Sequence, residues 1–540
     1  MTLTIVKQDA PTLVVGVGAF DSAAGAAIMA SHTAFGLTLD ASANATEARA
    51  TLQVMDFFGR PSFVTWAASN TVPQGHIINA GGFTYQYIGS GTAISDLPGW
   101  VPFGRVYPDH FKENSIPGTT SMKAAIQAAD DYITNGGILY FKNTNYVWDS
   151  AGTKSTKTFW IGEMSNAAFG AVGSMITFKY NGSCIVMTGT NVNYQGGVQG
   201  IRFLGDRSLY PEAVAFDMAN VNDHFFNNTY MGNLKFGVRG VDCKTFNFNW
   251  FYGFGMLQDS VYLYGTAPDK NTDHCFSESQ FAGDRYGLHL ENGGAMHISN
   301  SRPQVSGVAN CYFDTITHLN MSGGYCDSAR AYNSDTGTGD GIVIRNCIKV
   351  SFSNIIFYSN GAGAADLRVI ADNFISTDFI FEGNTHTLGT SGTRSAIIFD
   401  TPIGTGQIRR VMVNTNNFVG MTTPIANPDN VATELRCGQN QGLNKYVGVA
   451  GPVADFVYNH FSDVIRITGT LNTSFNVTVP NARGFVGDRL VLVRVNAGTG
   501  TVTFLGPNGT AIGTLSGAGK LEAVCIQAST TPGSTSYVAI

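Results

Sequence analysis

A chain of 540 residues is too long for one compact core, so several domains or a solenoid are expected. Only 13% of residues are charged, against about 25% in ordinary globular proteins, while Gly numbers 64 and aromatics reach 11%; that excludes disorder and suits a β-rich surface of amides, hydroxyls and rings. A net charge of −6, with Arg409–Arg410 the densest basic spot, excludes a nucleic-acid partner, and no apolar run nears the ~20 residues of a membrane span.

Residues 1–60 are rich in Ala, Thr and Asp and end in a short helical pattern, 46–52. The apolar stretch Thr12 to Phe20 is a poor signal peptide, because Lys7 is balanced by Asp9, so synthesis in a cytoplasm without a signal is expected. Residues 61–110 read as a small β-module, with alternating stretches at 65–72, 75–78 and 83–88 and a close at Asp96-Leu97-Pro98-Gly99-Trp100. A helix is predicted over 121–134, with Ser121 as N-cap, apolar Met122, Ala125, Ile126, Ala129 and Ile133, and Asn135-Gly136-Gly137 as stop. The apolar strand Ile138-Leu139-Tyr140-Phe141 follows, and a helix leading straight into strands suits the open end of a solenoid.

From about 198 to 420 short strands repeat. One unit recurs at 213–217, 260–264, 287–291, 310–314, 341–345 and 396–400. A second unit begins at Phe226, Phe246, Phe276, Ile298, Leu319 and Phe352, at intervals of 20, 30, 22, 21 and 33 residues by subtraction. Short strands at such a period, with Asn and Gly turns, indicate a stacked β-coil. The long intervals imply protruding loops near 265–274 and 325–340, where function commonly sits. Beyond 446 the alternating stretches 464–468, 475–479, 490–494, 501–504 and 521–525 predict an antiparallel β-sandwich. The eight cysteines never form Cys-x-x-Cys; they are expected to be reduced and buried, with no metal site and no cofactor.

The stretch 96–104, the helix residues 122–129, the Gly-Gly strand after them and the coil Asp340-Gly341-Ile342-Val343-Ile344-Arg345-Asn346 together resemble bacteriophage tailspikes with a pectate-lyase-like β-helix. The resemblance spans about residues 40–540 and is one of style and order; the Asp-rich stretch of many relatives before the helix is replaced by Ile116-Pro117-Gly118-Thr119-Thr120. It implies an all-β fold: a right-handed single-stranded parallel β-helix over 111–445, with small N-terminal β/α modules and a C-terminal antiparallel β-sandwich. It also implies a homotrimer, attachment to the phage tail or baseplate through residues 1–60, a neck at 61–110, and trimerisation or carbohydrate binding at 446–540. The implied partner is a bacterial surface polysaccharide (capsule, O-antigen or exopolysaccharide), depolymerised at the cell surface by a virion component.

Glycoside hydrolysis uses two carboxylates. Aligning the first unit puts Glu291 beside Asp314 on neighbouring rungs, about 4.8 Å apart, with Arg345 on the next. Alternation turns Leu288, Leu290 and Phe313 inward and His289, Glu291, Tyr312 and Asp314 outward, and stacked acids are expected to raise one another's proton affinity. Against this, acids often end such strands as turn residues, and Asp217 and Asp400 read as the same column without special neighbours. Glu278 is the second candidate, flanked by Asp273 and Asp284. Its column otherwise reads Asn228, Phe248, Asn300, Met321 and Asn354, so a carboxylate there breaks the local rule; the plain alternative is a solvated turn. Trp250 aligns one rung before Gln280 and two before Arg302, a strip on which a sugar would stack; Tyr252, Tyr262 and Tyr264 are near in sequence. Arg345, His289, Tyr312 and Tyr264 complete the candidate substrate contacts. A polysaccharide lyase using Arg285, His297 or Arg302, a receptor-binding fibre without cleavage, and a cellular β-helix enzyme acting on plant or matrix polysaccharide are the rival readings. Asn271-Thr272-Asp273 matches one polygalacturonase element whose other elements are missing, and Gly337-Thr338-Gly339 is a turn.

Overall fold

The computed structural model describes most of residues 56–540, apart from short stretches of which 164–172, 328–338, 388–394, 480–486 and 528–535 are the longest. Before residue 56 only the paired strands Ile5–Lys7 and Leu13–Val15 are described. The helical pattern at 46–52, most of the attachment segment and most of the loop near 325–340 therefore lie outside the described residues. The chain forms two compact units, Met1–Phe141 and Lys142–Ile540.

In the first unit, Ile77–Ala80, Phe83–Tyr87 and Trp100–Pro102 form an antiparallel sheet, joined by Asp56–Phe57 in parallel. Residues 60–69 are an α-helix, correcting the alternating reading at 65–72. Pro61 in the first turn has no N–H to lose, and Phe63 packs against Tyr85 and Trp100 at 4.9 and 5.0 Å. Arg60 anchors the helix by a fork to Asp96 and a bond to the His110 carbonyl. The second helix spans Lys123–Tyr132; Met122 is its N-cap residue and makes no side-chain cap bond, so Ser121 lies outside.

The second unit is a parallel coil of three walls. In one turn, Asp259–Tyr264 lies on the first wall, Cys275–Ser277 on the second and Gln280–Gly283 on the third, before the chain returns at Tyr286. Each strand pairs in parallel with its counterpart on the next turn. On the first wall Val238, Val261, Leu288, Cys311, Ile342, Leu367 and Ile397 fall in one inward column, all buried. On the second, Phe226, Phe248 and Phe276 stack with centroids 5.0 and 4.9 Å apart. Each such ring contributes roughly 1.5–3 kcal/mol by burial, which is why a long coil with little charge is stable.

The register corrects the second repeat by two residues at two rungs: Phe226 pairs with Phe248, not Phe246, and Ile298 with Met321, not Leu319. With a side-chain period of two, such a slip keeps every residue on its face while moving it to another column. Beyond 446 the two sheets begin with parallel pairs, such as Val464–Val491 and Phe475–Val502, and only their last strands pair antiparallel. The expected antiparallel sandwich is thus a pair of mixed sheets sharing one apolar core. Cys184, Cys243, Cys311, Cys326, Cys347 and Cys525 are free and buried as expected; Cys275 is exposed and Cys437 half-buried.

Candidate active site on the first wall

The outward side of the first wall carries two adjoining columns. One runs Asp217, Arg239, Tyr262, His289, Tyr312 and Val343; the next runs Val241, Tyr264, Glu291, Asp314 and Arg345. Glu291 lies opposite Asp314, and Asp314 opposite Arg345. Asp217 stands in the His289 column, not with Glu291, and both supposedly isolated acids have partners: Asp217 binds Arg239 and Ser183, Asp400 binds Arg368.

His289 is the hub. Its Nδ1 lies 2.9 Å from Asp259 and its Nε2 2.7 Å from Glu291. Asp259, fully buried, also holds Arg285 through two guanidinium bonds, and the Tyr262 hydroxyl donates to Glu291 at 3.0 Å. The Tyr262 ring stacks on His289 at 4.3 Å, while Tyr286 and Tyr312 meet it edge-on at 4.7 and 5.1 Å. Burial works against a charged imidazole, but the two carboxylate bonds and their charges outweigh it, so the His289 pKa is raised. The His289 bond, ahead of opposing burial, holds Glu291 below the usual carboxylate range. This reverses the expectation that stacking on Asp314 raises proton affinity at Glu291: a His289 bond made directly to the carboxylate outweighs an acid one rung away. At 3% exposure His289 is also too covered to meet a ligand as expected; it positions Glu291 instead.

Glu291 itself has about a third of its side chain exposed. Asp314, one rung on, accepts from Thr315 at 2.8 Å and Tyr312 at 3.3 Å, and Arg345 stands 3.7 Å away. Arg345 is braced by Asp372 at 2.6 Å. On the opposite flank a cleft of about 460 Å³ is lined by Asp217, Arg239, Phe236, Gln258, Tyr262 and Tyr264 among others, so Tyr264 faces open space beside Glu291. Tyr262, Tyr286 and Tyr312 are all raised in pKa, burial being the first cause. A covered His289 already engaged by two carboxylates and these tyrosines are poor proton-abstracting bases, leaving Glu291 as the part-exposed acid.

The other candidates do not join this group. Asp273, Glu278 and Asp284 sit at three separate corners of one coil turn, either side of Cys275–Ser277 and after Gln280–Gly283. Asp284 pairs with Arg207 at 3.2 Å, and Asp273 accepts from Thr272. Glu278 is exposed and accepts from Asn300 at 3.0 Å. Its true column is a row of left-handed turn residues: Asn228 (φ 46°), Trp250 (52°), Glu278 (50°), Asn300 (46°), Gly323 (67°), Asn354 (56°) and Gly383 (66°). Trp250 therefore precedes Glu278, and it is Tyr252 that precedes Gln280 and Arg302. Asn and Gly tolerate this backbone; Trp and Glu do so at a cost of about 1–3 kcal/mol each.

Asp259 escaped the sequence reading, and Arg285 was weighed there only as a lyase base. The missed signal was an acid on one rung with a base on a following one, as in Asp217–Arg239, Asp259–His289 and Asp340–Arg368. Among the described residues no cluster of His, Cys, Asp and Glu suits a metal ion.

No family model and no curated protein matches the sequence. Among solved structures the chain is similar to the A-module of mannuronan C-5 epimerase AlgE4 of Azotobacter vinelandii (14% identity, 62% of this chain and 95% of that one, TM-score 0.48). It is also similar to the enzymatically active domain of tailspike protein 2 of bacteriophage CBA120 (11%, 71% and 62%, 0.47) and to the tailspike of Acinetobacter phage vB_ApiP_P1 (11%, 90% and 90%, 0.39).

Proposed function

We propose that the chain is a bacteriophage tailspike that binds and depolymerises a bacterial surface polysaccharide by glycoside hydrolysis on the first wall. What carries this reading is Glu291: a part-exposed carboxylate held below the usual range by His289 and bonded by Tyr262, with a second carboxyl group, Asp314, opposite it on the next rung. The rung spacing of about 4.8 Å approaches the ~5–5.5 Å separation of retaining pairs. Glu291 attacks the anomeric carbon, the glycosidic C–O bond breaks, and Asp314, entering the step in its acid form, gives its proton to the departing oxygen; water then attacks the anomeric carbon, frees the sugar from Glu291 and gives a proton back to Asp314. The cleft by Tyr264 receives the chain on one side, and Arg345 and Tyr312 meet its hydroxyls on the other.

The test is incubation with purified capsular, O-antigen and exopolysaccharide fractions. Hydrolysis yields new reducing ends without a new chromophore. Ultraviolet absorbance from an unsaturated sugar would mean a lyase, and binding without fragments a receptor fibre. The lyase reading is the weaker because His289 is covered and engaged by two carboxylates, and burial raises the neighbouring tyrosines.

A further inference from the structure

The third wall carries a row that the cleavage site does not use. Arg202, Tyr230, Tyr252, Gln280 and Arg302 are partners on successive turns, and Tyr325 continues the row through its N–H bond to Ser301. Their inward neighbours Phe203, Met231, Phe281 and Cys326 are buried, so this row faces out. The Arg202 guanidinium lies 5.1 Å from the Tyr230 ring centroid, and that of Arg302, exposed, 5.3 Å from Tyr325. A Cβ on Gly232 would meet the Tyr230 ring at 2.9 Å, so that ring lies along the sheet. Among the described residues no carboxylate pairs with Arg302, whereas on the first wall Arg239, Arg285, Arg345 and Arg368 each hold an acid. Trp250, 49% exposed, stands two residues from Tyr252 at the corner.

We propose that this row is a non-cleaving track for an extended glycan bearing acidic substituents. Rings offer flat apolar faces to sugar rings, Gln280 offers an amide to hydroxyls, and guanidiniums pair with carboxylate or sulfate in a fixed fork. Rungs repeat about every 4.8 Å, close to the length of one pyranose in a chain, so consecutive sugars meet consecutive side chains. Glu278 at the turn excludes acid groups from that corner and keeps the chain on the row. The track stands whether or not the first wall cleaves.

Binding of the full chain is measured on an array of purified acidic and neutral bacterial polysaccharides, in a Glu291→Gln background so that loss of polymer is not read as binding. Binding to one or more acidic polymers, weakened at least tenfold by Arg302→Ala and by Tyr252→Ala and falling as salt rises, is the expected result. Binding to no polymer, equal binding of neutral ones, or affinity unmoved in both variants would overturn it. So would a change in sedimentation of the variants with glycan binding intact, since the row would then face a second copy of the chain. Arg302→Lys keeps the charge and should recover part of the affinity. Fragment release from short oligosaccharides by the unaltered Glu291 form should be unchanged in the row variants, which separates failure of the track from failure of the cleavage reading.

Discussion

The first and third walls belong to the same coil but treat charge oppositely. On the first, acids and bases answer one another from rung to rung, and the central acid, Asp259, is fully buried. On the third, rings and guanidiniums lie outward, and among the described residues no carboxylate pairs with Arg302. Chemistry needs a charge fixed before substrate arrives, which takes buried, fully bonded partners; recognition needs flat groups left open to the ligand.

The largest expected effect is on Glu291→Gln and Asp314→Asn. Each should lower fragment release roughly 100- to 10,000-fold, with unfolding temperature held, and α/β assignment of the released ends by NMR should show retention in the unaltered chain. Turnover that survives both changes would move the site elsewhere. Next, Asp259→Asn removes the shared partner of Arg285 and His289; breaking a buried pair typically costs about 3–5 kcal/mol, to be read in urea or thermal unfolding. An equivalent change on the third wall, Arg302→Ala, should leave stability within about 0.5 kcal/mol.

The pH response sharpens the contrast. The raised His289 pKa contributes stability in full below its unfolded value near 6.5, lost as pH rises through the folded value. The lowered Glu291 contributes in full above about 4.3, lost as pH falls through its folded value. Both act together between roughly pH 4.5 and 6.5, and unfolding of His289→Asn should be flatter with pH than that of the unaltered chain. The smallest effect is at the strained corner. Trp250→Asn should raise stability by about 1 kcal/mol, because Asn fits the left-handed turn, while weakening glycan binding on the third wall.

Much of the coil was legible. The repeat starting at Gly287, Asn310 and Gly341 aligned Glu291, Asp314 and Arg345 as the register has them, because Leu288, Cys311 and Ile342 open the same alternation at the same place on each rung. Alignment failed at Phe246 and Leu319, where two apolar residues of one face lie two apart and either satisfies the pattern. That slip alone moved Trp250 out of the Glu278 column. The His289 hub was illegible for another reason: Asp259 opens its strand thirty residues before His289, and neither position is unusual in its own segment.

The sequence by itself determined that short apolar alternation punctuated by Asn and Gly would wind into a parallel coil, since each face must be buried every second residue and each turn must accept a left-handed backbone. Only the tertiary structure decided which charges meet. The coil brings neighbours together across whole turns of chain, and a carboxylate's protonation depends on the side chain above it, not on the residues beside it in sequence.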